Sequence, residues 1–520
     1  MDSKEDKLEP RKEKLKNWLK DPYNLALIGI LIFTFAIRFH YFLMTKSQPL
    51  WWDEAEYMSA AKGFAGIVEN RYLLTFNRFP GFPLLASLFY MVGINNEVTL
   101  KFLLAFVPSI LSIILMYFVL ISMYSDKRIA LISTAIFAVL WEHVFYSNRF
   151  HTENLSLTFG LLAILILFRV FLKGRDFYFV KNKYALLWIG LFSILCIVFR
   201  SGNLFFIPIL ILFLITLNLY KIPKKLRLHS AIGLILLITV SYLSLGFLAH
   251  KFPFISKFFQ YGSPIYWDAF SVFSGFYQSL VPYLPPILFY AFILGITAVV
   301  GKIIIFPEGL KNLGKNIQNN SYKSDIFNLI LLFGFLFFFV FILRPGGFEY
   351  RWFFIFLPGL FAFTAKGLIN FGDYAQSIFK IKYLSIFLIT VFLCLGVYTQ
   401  FNHADMIIKN KLDSYSQVKD SGLWIKENAN PNDITISESY FQHIYYTDKK
   451  VKSFPQNETE FNKMIEDSKP KYLILSIFQP LPEWAYNWPQ RHNETTLPVQ
   501  VYYADEEQNQ VALVIYELKY

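Results

Sequence analysis

Cysteine and charge are what this chain has least of. Its two cysteines, Cys196 and Cys394, both lie inside apolar stretches, where isolated thiols offer neither a metal cluster nor a disulfide framework. They leave the redox compartment open. Charged residues make up only 17% of the 520, against 55% hydrophobic and 19% aromatic, with a mean hydropathy of +0.41. That is too much apolar surface for a water-soluble globule, so the composition predicts a polytopic membrane protein. Internal repeats are absent, which argues against a transporter built from inverted halves. No small-residue cleavage site follows the first apolar run, so that run is expected to remain as an uncleaved helix. The first loop contains no Asp-x-Asp and hence no spaced chelating pair.

The net charge of +12 sits largely in short loops between apolar spans. There it orients the chain in the membrane and does not suggest nucleic-acid binding. A basic N-terminus at residues 1–22, with Lys4, Lys7, Arg11, Lys12, Lys14, Lys16 and Lys20, precedes a first span at about 23–44. That run meets the roughly 20 residues needed to cross about 30 Å of hydrocarbon. Further spans are expected at about 99–124, 129–146, 155–172, 184–199, 204–220, 231–249, 283–306, 326–343, 352–369 and 383–399, making eleven. An odd count puts the termini on opposite sides. Loops then assigned to the cytoplasm carry Lys127 and Arg128, Lys173 and Arg175, Lys221 and Lys224, Lys302 and Lys311, and Lys380 and Lys382. All are basic, as the positive-inside rule requires.

Residues 46–98 form a long first loop on the outer side, aromatic and amphipathic enough for short helices lying in the interface. From about 401 the composition becomes that of a soluble α/β domain running to 520. Helices are expected over 414–428 and 458–467, strands over 433–437 and 471–478, and a hairpin from 499–504 and 511–518. This domain is expected outside the cell membrane, behind a transmembrane catalytic domain at 23–400.

The informative residues gather at one face. Asp53, Glu54, Arg78, Arg149, His151, Glu153, Arg200, Arg344, Glu349 and Arg351 come from five separate loops or span ends. All are assigned to the outer side, whereas the inner loops are plainly lysine-rich. Charges of both signs at one rim suit an anionic substrate presented from the bilayer. Asp53 and Glu54, beside Trp51 and Trp52, also read as interfacial charges in an aromatic belt. Glu153, in the first turn of its span, also reads as a helix-dipole partner. His250, His443 and His492 are scattered and read as surface residues. Asn457-Glu458-Thr459 and Asn493-Glu494-Thr495 match glycosylation acceptors, a triplet common by chance. The aromatic loop at 251–282 could line a lipid or acceptor path or simply pack at the interface.

Four stretches carry a resemblance: Trp52-Asp53-Glu54-Ala55-Glu56-Tyr57, Pro80-Gly81-Phe82-Pro83, Arg149 to Glu153, and Tyr350-Arg351-Trp352-Phe353-Phe354-Ile355-Phe356-Leu357-Pro358. With Gly422 to Asn428 in the tail, they resemble the GT-C glycosyltransferases. The branch they are most similar to holds the dolichyl-phosphate-mannose protein mannosyltransferases and the aminoarabinose transferase of lipid A. The chain departs from that pattern at Tyr350-Arg351-Trp352, where Arg-Tyr is usual, and at Phe79-Pro80-Gly81-Phe82-Pro83, where Lys-Pro-Pro is usual.

The resemblance implies a GT-C membrane fold of about 11 transmembrane helices. It implies transfer of one sugar from a polyprenyl- or dolichyl-phosphate carrier to an acceptor (protein, lipid or glycan) on the outer face; attack by an acceptor hydroxyl from the back side would invert the anomeric centre. Asp53 matches the catalytic aspartate. A phosphate leaving group is already a stable anion and needs no general acid, unlike the alkoxide that a glycosidase expels. It needs positive charge, which arginine supplies in bidentate form. Asp53 is therefore read as the base, with Glu54 and Glu153 as orienting carboxylates. Arg200, Arg351, Arg78 and Arg149 are read as phosphate partners. The scheme requires no cofactor and leaves a divalent metal possible. A polyprenyl-linked glycan polymerase or ligase is the nearest alternative, followed by a polytopic transporter; a membrane-anchored sensor would not need so many spans.

Overall fold

The computed structural model describes residues 13, 16–68, 78–178, 180–219, 283–305, 319–342, 350–505 and 507–520. The expected span at 231–249, the loop at 251–282, His250, Arg344 and Glu349 lie outside them. Among the described residues eight helices are long and apolar enough to cross a membrane, or nine if one bent pair counts as a single span. A further helix, Asn320–Ile342, stands where the sequence places another span.

Helix α1 (Pro22–Thr45) begins where the Asp21 carboxylate accepts a hydrogen bond from the Tyr23 amide at 3.0 Å and Pro22 presets the first turn. Two short helices follow in the first loop as expected, α2 (Trp52–Phe64) and α3 (Gly81–Met91). The α3 backbone touches a neighbour: a Cβ on Gly81 would collide with the Val198 carbonyl. Helix α4 (Glu97–Tyr124) carries a π turn at Phe102–Phe106.

The expected continuous span at 129–146 is in fact broken. Helix α5 (Lys127–Val139) and the short α6 (Trp141–Phe145) meet at a 55° bend. Neither proline nor glycine marks the break. Its cause is Arg38 of α1, fully buried, which donates to the Ala138 carbonyl at 2.6 Å and lies 2.8 Å from His143 Nδ1. A side chain inserted at a helix end satisfies the carbonyl the bend exposes.

The bundle continues with α7 (Thr152–Phe171), α8 (Ala185–Phe199), α9 (Phe206–Leu219), α10 (Pro286–Val300), α11 (Asn320–Ile342) and α12 (Leu357–Phe379). A 3₁₀ turn, Tyr350–Phe356, leads into α12. Helix α13 (Leu384–Asn410) runs unbroken through residue 401 toward the C-terminal domain.

That domain is an α/β unit. It holds α14 (Ser416–Asn428), β1 (Ile434–Ser437), α15 (Tyr440–Thr447), β2 (Lys450–Lys452), α16 (Glu458–Ser468), β3 (Tyr472–Ser476), α17 (Glu483–Arg491), β4 (Thr496–Tyr503) and β5 (Val511–Leu518). The strands form one sheet in the order β2-β1-β3-β5-β4. β1 runs parallel to β2 and β3, while β5 pairs antiparallel with β3 and β4, closing the expected hairpin. The sequence reading contained no α15, β2 or α17.

The domain docks on α2. The Leu50 amide donates to Tyr446 Oη at 2.8 Å, Lys62 reaches the Tyr445 carbonyl at 2.9 Å and Asp448 at 2.7 Å, and Trp52 meets Phe441 edge to face. Asp21, where α1 starts, pairs instead with Lys127, and Arg128 pairs with Asp373 at 3.0 Å. The N-terminal start and the docked domain therefore lie at opposite ends of α1.

Candidate active site

Helix α2 fixes the direction of its acidic side chains by where it starts. With Trp52 as the first helical residue, Asp53 and Glu56 are three apart and share a face, while Glu54 points elsewhere. Asp53 Oδ1 accepts from Arg78 Nη2 at 2.7 Å and Oδ2 from Arg351 Nη2 at 2.9 Å. Arg78 also lies 3.2 Å from Glu56 and faces the Tyr57 ring. Arg351 lies 3.4 Å from Glu153 through Nε and 2.5 Å from His151 Nδ1 through Nη1. Glu153 pairs in turn with Arg200, whose guanidinium faces Trp352.

Residues distant in sequence thus form a continuous chain: Glu56, Arg78, Asp53, Arg351, Glu153, Arg200. The Asp53 carboxylate is 26% exposed while that of Glu153 is 2% exposed, so Asp53 is the one that faces outward. Glu153, Arg200, Asn203, Arg351 and Trp352 line a cleft beside it.

Electrostatics follow from this placement. Burial alone pushes the Asp53 carboxyl up, but the Arg78 and Arg351 guanidiniums outweigh it and hold the group below the usual carboxylate range. Burial drives the His151 imidazole well below its ordinary range, helped by Arg351 and Arg149. His151 is therefore neutral, with a ring lone pair available to accept from Arg351.

Two residues that the sequence reading grouped with the site are turned away from it. Glu54, 1% exposed, accepts from the Trp51 amide and the Phe150 amide, each at 2.8 Å. Arg149 lies 2.8 Å from Glu54, stacks over the Trp51 ring at 3.7 Å and donates to Gln48 at 2.6 Å. The pair is buried and tethers the first loop to the start of α7. Both terminal nitrogens of Arg149 are thereby directed at Glu54, Gln48 and the Pro49 carbonyl.

Glu56 and Glu142 are carboxylates that the sequence reading passed over. Glu142, 2% exposed, accepts from the Arg351 backbone amide. Its signal was an acid inside an apolar run, Leu140-Trp141-Glu142-His143. His443, read as a surface residue, is fully buried between Ser421 at 2.9 Å and Ser437 at 2.8 Å. Among the described residues no group of three or more His, Cys, Asp or Glu side chains is placed to hold a metal ion.

No family model matches the chain, and no curated protein sequence does. Solved structures do. ArnT from Cupriavidus metallidurans in the apo state superposes with a TM-score of 0.56 at 13% identity, covering 95% of this chain and 98% of that one. The same protein bound to undecaprenyl phosphate gives 0.54 at 12% identity, covering 94% and 97%. AglB, the Archaeoglobus fulgidus oligosaccharyltransferase, in complex with an inhibitory peptide and a dolichol-phosphate, gives 0.55 at 12% identity, covering 95% and 74%. At such identities the likeness is one of architecture. ArnT and AglB are both GT-C superfamily glycosyltransferases, and the membrane bundle of this chain, with its α/β domain docked over the first loop, has the GT-C fold.

Proposed function

We propose that this protein is a membrane glycosyltransferase that moves a single sugar from a polyprenyl-phosphate carrier to a hydroxyl acceptor. The observation that carries the reading is the bridging of outward-facing Asp53 by Arg78 and Arg351, with Glu153 and Arg200 directly behind. ArnT has been captured with undecaprenyl phosphate and AglB with a dolichol-phosphate, which supports a lipid-phosphate donor on this fold.

The residues divide the labour. Arg351 and Arg200 face the cleft and stabilise charge as it develops on the departing phosphate. Asp53 takes the proton of the acceptor hydroxyl, whose oxygen attacks the anomeric carbon. The bond from that carbon to the phosphate oxygen breaks, its electron pair stays on phosphate, and backside attack inverts the centre. Asp53 then returns its proton to water. The scheme uses no cofactor, and the basic loops at the start of α1 support placing the site at the extracytoplasmic face of the cell membrane.

The test is incubation of the purified protein in lipid with a panel of labelled polyprenyl-phosphate sugars, with and without chelator. Wild type transfers at least one sugar. Asp53→Asn, correctly folded, loses about 10³-fold in rate, within the usual range for a positioned base. Turnover by Asp53→Asn at the wild-type rate removes Asp53 from that role, and transfer abolished by chelator replaces the cofactor-free scheme.

A further inference from the structure

The cleft is occupied by its own counter-charges. Asp53, Glu56 and Glu153 face Arg78, Arg200 and Arg351, so three carboxylates offset three guanidiniums without any ligand. Both oxygens of Asp53 are engaged, at 2.7 and 2.9 Å. A carboxylate held this way by two guanidiniums is stabilised in its charged form and is a poor proton acceptor. Among the described residues, the cleft beside it encloses no room for even a water molecule. A donor headgroup must therefore part the ion pairs to enter.

We infer that Asp53 and Glu153 mask the anion-binding face of Arg351, and that the arriving donor phosphate takes Arg351 away from Asp53 and thereby switches that carboxylate on as a base. The inference rests on the reading of the site as one for a lipid-phosphate donor. Its physical basis is competition for one planar fork: a phosphate presents oxygens that match a guanidinium at least as well as a carboxylate does. Once Arg351 turns to phosphate, Asp53 keeps only Arg78 and its affinity for a proton rises. Among the described residues Tyr57, Glu56, Glu153, Arg200 and His151 are further polar groups nearby, and neither oxygen of Asp53 is hydrogen-bonded to them. The consequence is an order of events: donor first, base competent second, acceptor last. Without donor, Asp53 is poorly suited to deprotonate anything.

The experiment measures equilibrium binding of undecaprenyl phosphate, which has no sugar to transfer, to the full-length protein in nanodiscs. Asp53→Asn keeps the shape of the side chain and removes the competing charge. It binds undecaprenyl phosphate about tenfold tighter than wild type, the scale of one charge-assisted hydrogen bond. Relief of general repulsion would give the same sign, so the substitution is repeated in an Arg351→Ala background. Masking predicts that the gain disappears there, because the cation Asp53 was holding is gone. Asp53→Ser serves as a second variant, and thermal unfolding verifies that each protein is folded. Equal or weaker binding by both Asp53 variants overturns the inference, as does a gain that survives Arg351→Ala. Failure of wild type and every folded variant to bind undecaprenyl phosphate instead removes the lipid-phosphate donor, and the inference with it.

Discussion

Asp53 and Glu54 are consecutive on α2, and about 100° of helical rotation separates what they do. Asp53 lies beside the cleft, bridged by two arginines; Glu54 points inward, where two backbone amides and Arg149 engage it. Burial alone does not assign either role; the groups that meet each carboxylate do. His443 makes the same point in the C-terminal domain. Its ring joins α14 to β1 through Ser421 and Ser437, and burial pushes its pKa down to about 4. The folded domain thus holds a neutral imidazole, whereas the unfolded chain binds a proton once the pH drops below about 6.5. Stability from this group is fully present above 6.5 and is lost as pH falls from 6.5 to about 4. The loss comes to ~3 kcal/mol, since each unit is worth about 1.4. Chemical denaturation across that window is expected to show the slope in wild type and a flatter one in His443→Gln.

At the level of elements, α10 and α12 cross with their backbones in contact. A Cβ on Gly367 would collide with the Ala291 carbonyl, and one on Gly295 with the Phe363 carbonyl, so the two backbones are in contact. Small residues four apart, as in Ala291 and Gly295, permit such crossings in lipid, where no hydrophobic force drives helices together. Helix α12 follows the 3₁₀ turn that carries Arg351, so this crossing also sets where that guanidinium stands. Gly367→Ala is expected to cost about 1–3 kcal/mol by overpacking, seen as a lower midpoint of thermal unfolding in detergent. Gly29→Ala, with nothing within 4 Å of the added carbon, is the matched control and should not destabilise. The spans themselves were legible because apolar length is a local property. The α5–α6 bend was not, because its cause is Arg38, 100 residues from the carbonyl it binds. Strands β3 and β5 could be read from their short, continuous apolar runs. Helix α15 could not: Tyr445 and Tyr446 face α2 while His443 faces the sheet domain, so no single apolar stripe marks it. The same limit applies to the site. Asp53 and Glu153 carry their signal in local motifs, but that Arg149 belongs to Glu54 and not to the cleft follows only from α2 and α7 meeting.

For the whole molecule, the position of the C-terminal domain fixes the relation of the ends without any count of spans. Helix α1 crosses once between Asp21, paired with Lys127, and the loop that opens into α2. The domain sits on α2 through Tyr446, Lys62 and Phe441, so it shares the end that holds Asp53. Lys127, Arg128, Lys173 and Arg175 occupy the other end, where Lys173 reaches Ser125 at 3.0 Å. Cationic loops resist translocation, so the positive-inside rule leads one to expect the lysine-rich end in the cytoplasm and the cleft outside. Single cysteines placed in a variant lacking Cys196 and Cys394 test this directly. Glu466→Cys, exposed on α16, is expected to react with a membrane-impermeant maleimide in intact cells. Arg175→Cys, exposed at the other end, is expected to react only after permeabilisation. The reverse pattern would put Asp53 at the cytoplasmic face, where the donor would have to present its sugar to the inner leaflet, and would overturn the proposed direction of transfer while leaving the ion-pair chain intact.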